Sequence, residues 1–215
     1  MDKPTGMSSF DVIRVLRRQT GVRKIGHAGT LDPLASGLML LLFGTGCKQA
    51  QVLMKLDKQY EAKITLGASS ITGDEEGEKI PVSDVVPTSS QIETVMQAFT
   101  GEITQIPSAY SAIKIRGKEA YKRVRAGETV AMPSRQVRIY ESVLVRYAYP
   151  NVWIRVTVTS GTYIRTLAED MGNKLGTGAY LSGLVRTQVG KYELEKALKL
   201  ADIDAAKAFE MTQAI

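Results

Sequence analysis

The sequence predicts an α+β fold. Three observations carry that reading. Strand-like and helix-like segments intermix without a regular βαβ alternation. No internal repeat and no composition shift marks a linker between two domains. With 215 residues and 44% hydrophobic side chains, the chain is long and apolar enough to bury one substantial core.

The elements follow in order. Ser8-x-x-Asp11 has capping-box spacing, Val12, Ile13 and Leu16 recur at helical spacing, and Gly21 stops the run, which predicts a helix over 9–20. A glycine-rich loop at 26–30 leads through Asp32-Pro33 and Ser36-Gly37 to the apolar run 38–43, read as a buried strand. A helix is expected over 48–57, with Val52, Leu53 and Leu56 on one face. Tyr60, Ala62, Ile64 and Leu66 alternate with polar residues and predict a half-buried strand. The acidic stretch 68–88 reads as a loop. Ser90-x-x-Glu93 then opens a helix carrying Ile92, Val95, Met96 and Phe99, ended by Gly101. Residues 102–133 read as a basic loop with one short helix near 118–126. Strands at 136–148 and 152–159 flank a Pro150-Asn151 turn. A helix over 162–175, a strand or strand pair over 181–192 and a short helix over 202–209 complete the chain.

Charge is unevenly placed. The formal net charge is +6. Residues 107–140 hold eight basic and two acidic side chains, so this segment alone is +6 and the remainder is neutral in sum. Residues 3–24 add six basic residues against Asp11, and residues 74–84 are acidic at −4. A charge run is often only a solvated face. Two basic segments, one with Tyr110 and Tyr121 interleaved, point towards a nucleic-acid partner. The single cysteine, Cys47, excludes an intramolecular disulfide, and with the single histidine, His27, cannot build a Cys/His zinc site. No apolar run approaches membrane-span length. A reduced, cytoplasmic protein is expected.

Four places can carry chemistry. Asp32 precedes a proline that biases it towards extended backbone, although an Asp before Pro is most often a turn residue. Arg165 lies between a strand and a helix, where a cation in the first turn opposes the macrodipole and hints at an acidic partner. Tyr60 by periodicity alone is core packing. His27 can stack on a base, titrate near neutral pH, or simply sit exposed in a turn.

Taken together, these segments resemble the TruB family of tRNA pseudouridine synthases. The resemblance rests on Asp2-Lys3-Pro4-Thr5-Gly6-Met7-Ser8-Ser9, Gly26 to Leu38 with its Gly29-Thr30-Leu31-Asp32-Pro33 core, Asp57-Lys58-Gln59-Tyr60, Gln105 to Ala112, Gly161-Thr162-Tyr163-Ile164-Arg165 and Leu181 to Thr187, in that order over nearly the whole chain. It implies the pseudouridine synthase fold, a mixed and mainly antiparallel sheet flanked by helices. It also implies isomerisation of uridine 55 in the tRNA T-arm loop, with no cofactor and no metal. Asp32 matches the family's catalytic aspartate, Arg165 the arginine that pairs with it, and Tyr60 the active-site tyrosine. Tyr163 and Leu184 match residues lining the uracil pocket, and His27 the histidine that fills the space left by the flipped base. Lys3 and Pro4 match a pair supporting the catalytic loop. Residues 107–133 cover the family's RNA-gripping insertion, with Lys114, Lys118, Lys122, Arg123 and Arg125 as its candidate RNA contacts.

Family members usually carry an apolar strand before Asp-Lys-Pro and a C-terminal PUA domain. The expectation here is a single catalytic domain over 1–215 with no PUA domain in this sequence, acting as a monomer on tRNA; whether the native protein has the preceding strand or a PUA domain stays open at this point. Two alternatives stay open. One is an RNA-folding factor that uses the same groove without catalysis. The other is a guide-dependent synthase like dyskerin, which the basic insertion and the expected lack of a PUA domain disfavour.

Overall fold

The computed structural model describes residues 1–111, 113–203 and 207. The N-terminal elements are β1 (Asp2–Lys3), α1 (Ser9–Thr20), β2 (Ile25–His27), β3 (Ser36–Leu38), β4 (Leu41–Phe43), α2 (Ala50–Met54) and β5 (Lys58–Leu66). After them come β6 (Ala68–Ser70), β7 (Lys79–Pro81), α3 (Ser89–Ala98), β8 (Gly101–Gln105), β9 (Lys114–Ile115), β10 (Lys118–Glu119) and α4 (Ala120–Arg125). The chain continues through β11 (Arg135–Ala148), β12 (Asn151–Val158), α5 (Ile164–Leu175), β13 (Ala179–Val189) and β14 (Tyr192–Glu193). The main sheet runs β1-β3-β13-β5-β12-β11-β8, with β14 paired to β13. β3 and β13 are parallel, whereas β1–β3, β11–β8 and β13–β14 are antiparallel.

The residues fall into two compact units. The first comprises Met1–Glu61, Thr157–Ser160 and the chain from Gly183 onward; the second comprises Ala62–Val156 and Gly161–Ser182. In the first, α1 buries Val12, Ile13 and Leu16 in a core with Ile25, Met39, Phe43 and Ile203. The expected capping box at its start is present: the Asp11 amide donates to Ser8 Oγ, and the Ser8 amide donates to Asp11 Oδ2. In the second, α3 packs on α5 and β11, burying Ile92, Val95 and Met96 beside a sheet that buries Val137, Ile139, Ile154 and Val156.

Five expectations need correction. Residues 102–133, read as a basic loop with one short helix, begin with β8, which pairs with β11 in the main sheet, and also contain the β9–β10 hairpin. The apolar run 38–43 is two strands rather than one. β3 belongs to the main sheet while β4 pairs with β2, so the chain changes partners at Met39-Leu40. The helix expected over 48–57 is a 3₁₀ segment, Gly44–Gln49, followed by the short α2. Val52 and Leu53 lie in α2, which buries none of its residues, and Val52 is 69% exposed. The acidic loop contains the β6–β7 hairpin. The box opening α3 is Thr88 with Gln91, two residues before the expected Ser90. Elsewhere β5 keeps the expected alternation, burying Lys58, Tyr60, Ala62, Ile64 and Leu66. α5 stops at Gly176 as expected. The helix expected over 202–209 falls mostly outside the described residues.

Candidate active site

Asp32 stands in a loop fixed by its neighbours in the first unit. Ser9, buried in the first turn of α1, holds both backbone groups of Leu31: its hydroxyl donates to the Leu31 carbonyl at 3.0 Å and accepts from the Leu31 amide at 2.8 Å. Ala28, Leu31 and Ala35 are buried, which leaves the polar residues between them no freedom to exchange faces. The Ala35 amide closes a turn onto the Asp32 carbonyl at 3.1 Å.

Lys3 is fully buried, and its ammonium donates to the carbonyls of Pro4 and Met7 at 2.9 and 2.6 Å. That folds the segment 4–7 into a turn whose Gly6 amide donates to the Pro33 carbonyl at 2.8 Å. Lys3 and Pro4 therefore brace the residue that follows Asp32. Burial lowers the Lys3 pKa; the negative charge of Asp32 works against this, and Arg186 adds to it.

Arg186 is the main feature that the residue pattern does not reveal. It is only 1% exposed on β13, yet its Nε donates to the Leu38 carbonyl at 2.7 Å and its Nη2 to the Gly29 carbonyl at 3.2 Å. The guanidinium thus ties together the two ends of the Asp32 loop. Its backbone pairs with Gly37, which has φ +99°. A Cβ at Gly37 would sit 2.4 Å from the Arg186 carbonyl oxygen, so only glycine fits there. Lys58 makes a third buried cation, donating to the carbonyls of Met54 and Leu56 just before Tyr60. Its pKa falls to about 8, chiefly through burial and then through Arg186.

Tyr60 is buried on β5, and Leu184 is half-buried on β13. His27 is half-buried at the end of β2, and its Nδ1 is a buried atom with no hydrogen-bond partner among the described residues. Burial, then the charge of Arg186, lowers its pKa and favours the neutral ring.

Arg165 and Tyr163 belong to the second unit. Gln105, 1% exposed, clamps the Tyr163 backbone: its Nε2 donates to the Tyr163 carbonyl at 3.2 Å and its Oε1 accepts the Tyr163 amide at 3.0 Å. Tyr163 caps α5, and the Arg135 guanidinium lies 5.2 Å from its ring centroid. Two residues on, Arg165 donates to the carbonyls of Thr72 and Tyr110 at 3.1 and 3.3 Å and pairs with Asp74 at 3.1 Å. Asp74 is nearly buried and also accepts from the Thr72 hydroxyl and the Glu76 amide. The acidic partner hinted at by the position of Arg165 therefore includes Asp74, from the segment read only as an acidic loop.

The basic insertion is a small folded unit. β9 and β10 form a hairpin across Arg116-Gly117, and α4 follows, with its Ala120 amide donating to the Ile113 carbonyl at 2.7 Å. Its two acidic residues are both engaged: Glu119 pairs with Lys122 at 3.1 Å, and Glu128 pairs with Lys118 and Arg123 at 3.6 and 2.6 Å. Lys114 and Arg125 form no ion pair among the described residues, and Arg125 instead lies 5.6 Å from the Tyr121 ring centroid.

Comparison with known proteins shows the family. Residues 17–164 match the family described as TruB family pseudouridylate synthase (N terminal domain), and residues 165–214 match tRNA pseudouridylate synthase B C-terminal domain. Curated proteins called tRNA pseudouridine synthase B are similar throughout. That of Burkholderia pseudomallei (strain 668) is 48% identical over 96% of this chain and 68% of its own length. That of Cupriavidus metallidurans is 48% identical over 95% and 66% respectively. Among solved structures, a Cbf5-Nop10-Gar1 complex contains a chain with a TM-score of 0.76 and 29% identity, covering all of this chain and 55% of that one. A structure of an H/ACA RNP bound to a substrate RNA containing 2'-deoxyuridine gives a TM-score of 0.70 at 27% identity. The chain belongs to the TruB family of pseudouridylate synthases, and its fold is the expected α+β pseudouridine synthase fold. It spans about two thirds of the curated relatives and about half of the solved chains it matches.

Proposed function

We propose that this protein converts uridine 55 in the T-arm loop of tRNA to pseudouridine. The observation that carries the reading is the bracing of the Asp32 loop by Ser9, Lys3 and Arg186, in a chain of the TruB family. A loop tied through the backbone on both sides of one carboxylate suits a reaction that needs an anion held at a fixed place.

The target base is stacked in the T-loop and leaves the stack to react. His27, half-buried and favouring the neutral ring, enters the space left behind. The carboxylate of Asp32 acts on the sugar, either as nucleophile or by stabilising positive charge at C1′ while the glycosidic bond breaks. Arg165 orients Asp32, and Asp74 and the Thr72 and Tyr110 carbonyls orient Arg165 in turn. Tyr60 lies against the base and serves as general base, and Tyr163 and Leu184 line the uracil pocket. The base turns and rejoins through carbon. Reactant and product are isomers, so the reaction consumes no cofactor. The basic insertion grips the RNA through Lys114, Lys118, Lys122, Arg123 and Arg125. The setting is cytoplasmic, with the protein a monomer.

Incubation with an unmodified T-arm stem-loop, followed by mapping of pseudouridine, tests the proposal. Product at position 55 is expected. Its absence with folded protein refutes the assignment.

A further inference from the structure

We propose that the exposed face of α1 and the turn after it form a second RNA-binding surface, which tracks the phosphate backbone of tRNA leading away from the target nucleotide. The inference rests on the RNA substrate proposed above and uses residues that play no part there. Arg14, Arg17, Arg18, Arg23 and Lys24 are all exposed, and Asp11 is the only acidic residue between positions 3 and 31. Asp11 is occupied by the capping box and by Arg14. The remaining cations form no ion pair among the described residues, so this face offers uncompensated positive charge to a polyanion.

A bland account exists for part of this. Arg17 and Arg18 lie in the last turn of the helix, where the macrodipole favours cations. It does not extend to Arg23 and Lys24 beyond the helix, nor to Phe10. Phe10 is 53% exposed, with the Arg14 and Arg17 guanidinium groups 5.6 and 5.8 Å from its ring centroid. An aromatic ring flanked by guanidinium groups on an otherwise polar helix face suits stacking against a base or ribose beside phosphates.

The placement fits RNA better than a diffuse anionic surface. Ser9, one residue before Phe10, is bonded to Leu31, one residue before Asp32. The aromatic end of the face therefore begins at the catalytic loop. The helix, about 18 Å long, carries the cations away from it towards Arg17, whose guanidinium donates to the Ile25 carbonyl. On this proposal, an RNA strand with its target nucleotide at Asp32 runs its neighbouring phosphates along this row.

The test is binding of full tRNA across a salt series to the wild type, to an Arg18→Glu/Arg23→Glu/Lys24→Glu variant and, separately, to Phe10→Ala. All four positions are exposed, and unchanged thermal unfolding verifies folding. The triple variant is expected to bind at least about tenfold more weakly, with a log–log salt slope shallower by about 2 to 3, near one unit for each phosphate that the surface no longer neutralises. Phe10→Ala is expected to bind roughly five- to a hundredfold more weakly. Unchanged affinity and slope in the triple variant overturn the proposal. So does retention on phosphatidylglycerol vesicles that the triple variant loses while its tRNA affinity stays intact. If the wild type makes no pseudouridine yet the triple variant loses tRNA affinity, the surface stands and the catalytic assignment falls.

Discussion

Replacing Asp74 with alanine tests how Arg165 is held. The two side chains, far apart in sequence, meet at 3.1 Å with 12% and 5% of their side-chain surface exposed. Removing one partner of a buried pair costs about 3–5 kcal/mol, because the other charge keeps its desolvation penalty and loses its compensation. The Thr72 hydroxyl and the Glu76 amide lose their acceptor in the same substitution. Asp74→Asn keeps an oxygen for those two donors and removes only the charge, so about 1.5–3 kcal/mol is expected. At roughly 2–4 °C per kcal/mol for a chain of this size, Asp74→Ala melts about 6–20 °C lower. Urea denaturation followed by far-UV circular dichroism reads the free energies. A double-mutant cycle with Arg165→Met isolates the pair, with an expected coupling of about 1–3 kcal/mol. A loss below about 1 kcal/mol for Asp74→Ala, together with zero coupling, would refute the view that this carboxylate anchors Arg165.

Other outcomes follow from the same geometry. Asp32→Asn is expected to abolish pseudouridine formation while leaving RNA affinity nearly intact; a variant retaining a substantial fraction of the wild-type rate removes Asp32 from the chemistry. Lys114→Glu with Arg125→Glu, the two insertion candidates without ion pairs among the described residues, is expected to weaken tRNA binding and flatten its salt dependence by about 2 units, checked by filter binding across a salt series. Glu169 has its pKa raised from 4.5 to about 7, first by burial, against the charge of Arg165 and with that of Asp170 and Asp74. Between those pH values the folded chain holds a proton that the unfolded chain has released, so this group makes stability fall as pH rises through the window. Glu169→Gln is expected to flatten stability against pH between about 4.5 and 7 and to exceed the wild type at pH 8; parallel profiles from urea titrations would contradict it. Gly37→Ala places a Cβ against rigid Arg186 backbone at positive φ, and a loss of at least about 2 kcal/mol is expected by the same titration.

Local signals in the sequence were legible where neighbours along the chain settle the outcome. The Ser8–Asp11 box and the Val12, Ile13 and Leu16 stripe define α1 because cap and buried face are both encoded within one helix. The alternation that buries Tyr60 is equally local. Long-range pairing is where the pattern stops informing. Leu38 to Phe43 announces burial but not that its halves serve different sheets. Asp74 sits among Glu75, Glu76 and Glu78, which reads as a solvated run, and only its meeting with Arg165 and Thr72 makes it a buried group. Arg186 lies in an otherwise ordinary strand, and its destination is set by carbonyls of residues near 30 and 38. Family likeness supplied the candidate site residues, with Lys3 and Pro4 as support for the loop, whereas the bracing by Ser9, Arg186 and Asp74 was not readable from the chain.

The net charge of +6 now divides by environment. In the insertion, both acidic residues are spent on Lys118, Lys122 and Arg123 in exposed pairs. Such pairs are worth about 0–1 kcal/mol, so phosphates can displace them at little cost. On α1 the cations stand exposed beside Phe10. In the interior Lys3, Lys58 and Arg186 rest on backbone carbonyls, and none of them forms an ion pair among the described residues. Carbonyl dipoles solvate these cations without cancelling their charge. The pKa values of Lys3, His27 and Lys58 are lowered chiefly by burial, and the charge of Arg186 is a smaller cause in each. Under the function proposed above, Lys3 and Arg186 beside the Asp32 loop suit a carboxylate that works close to a polyanionic substrate. On this reading the buried cations serve the anion at the centre, and the exposed ones serve the anions of the RNA.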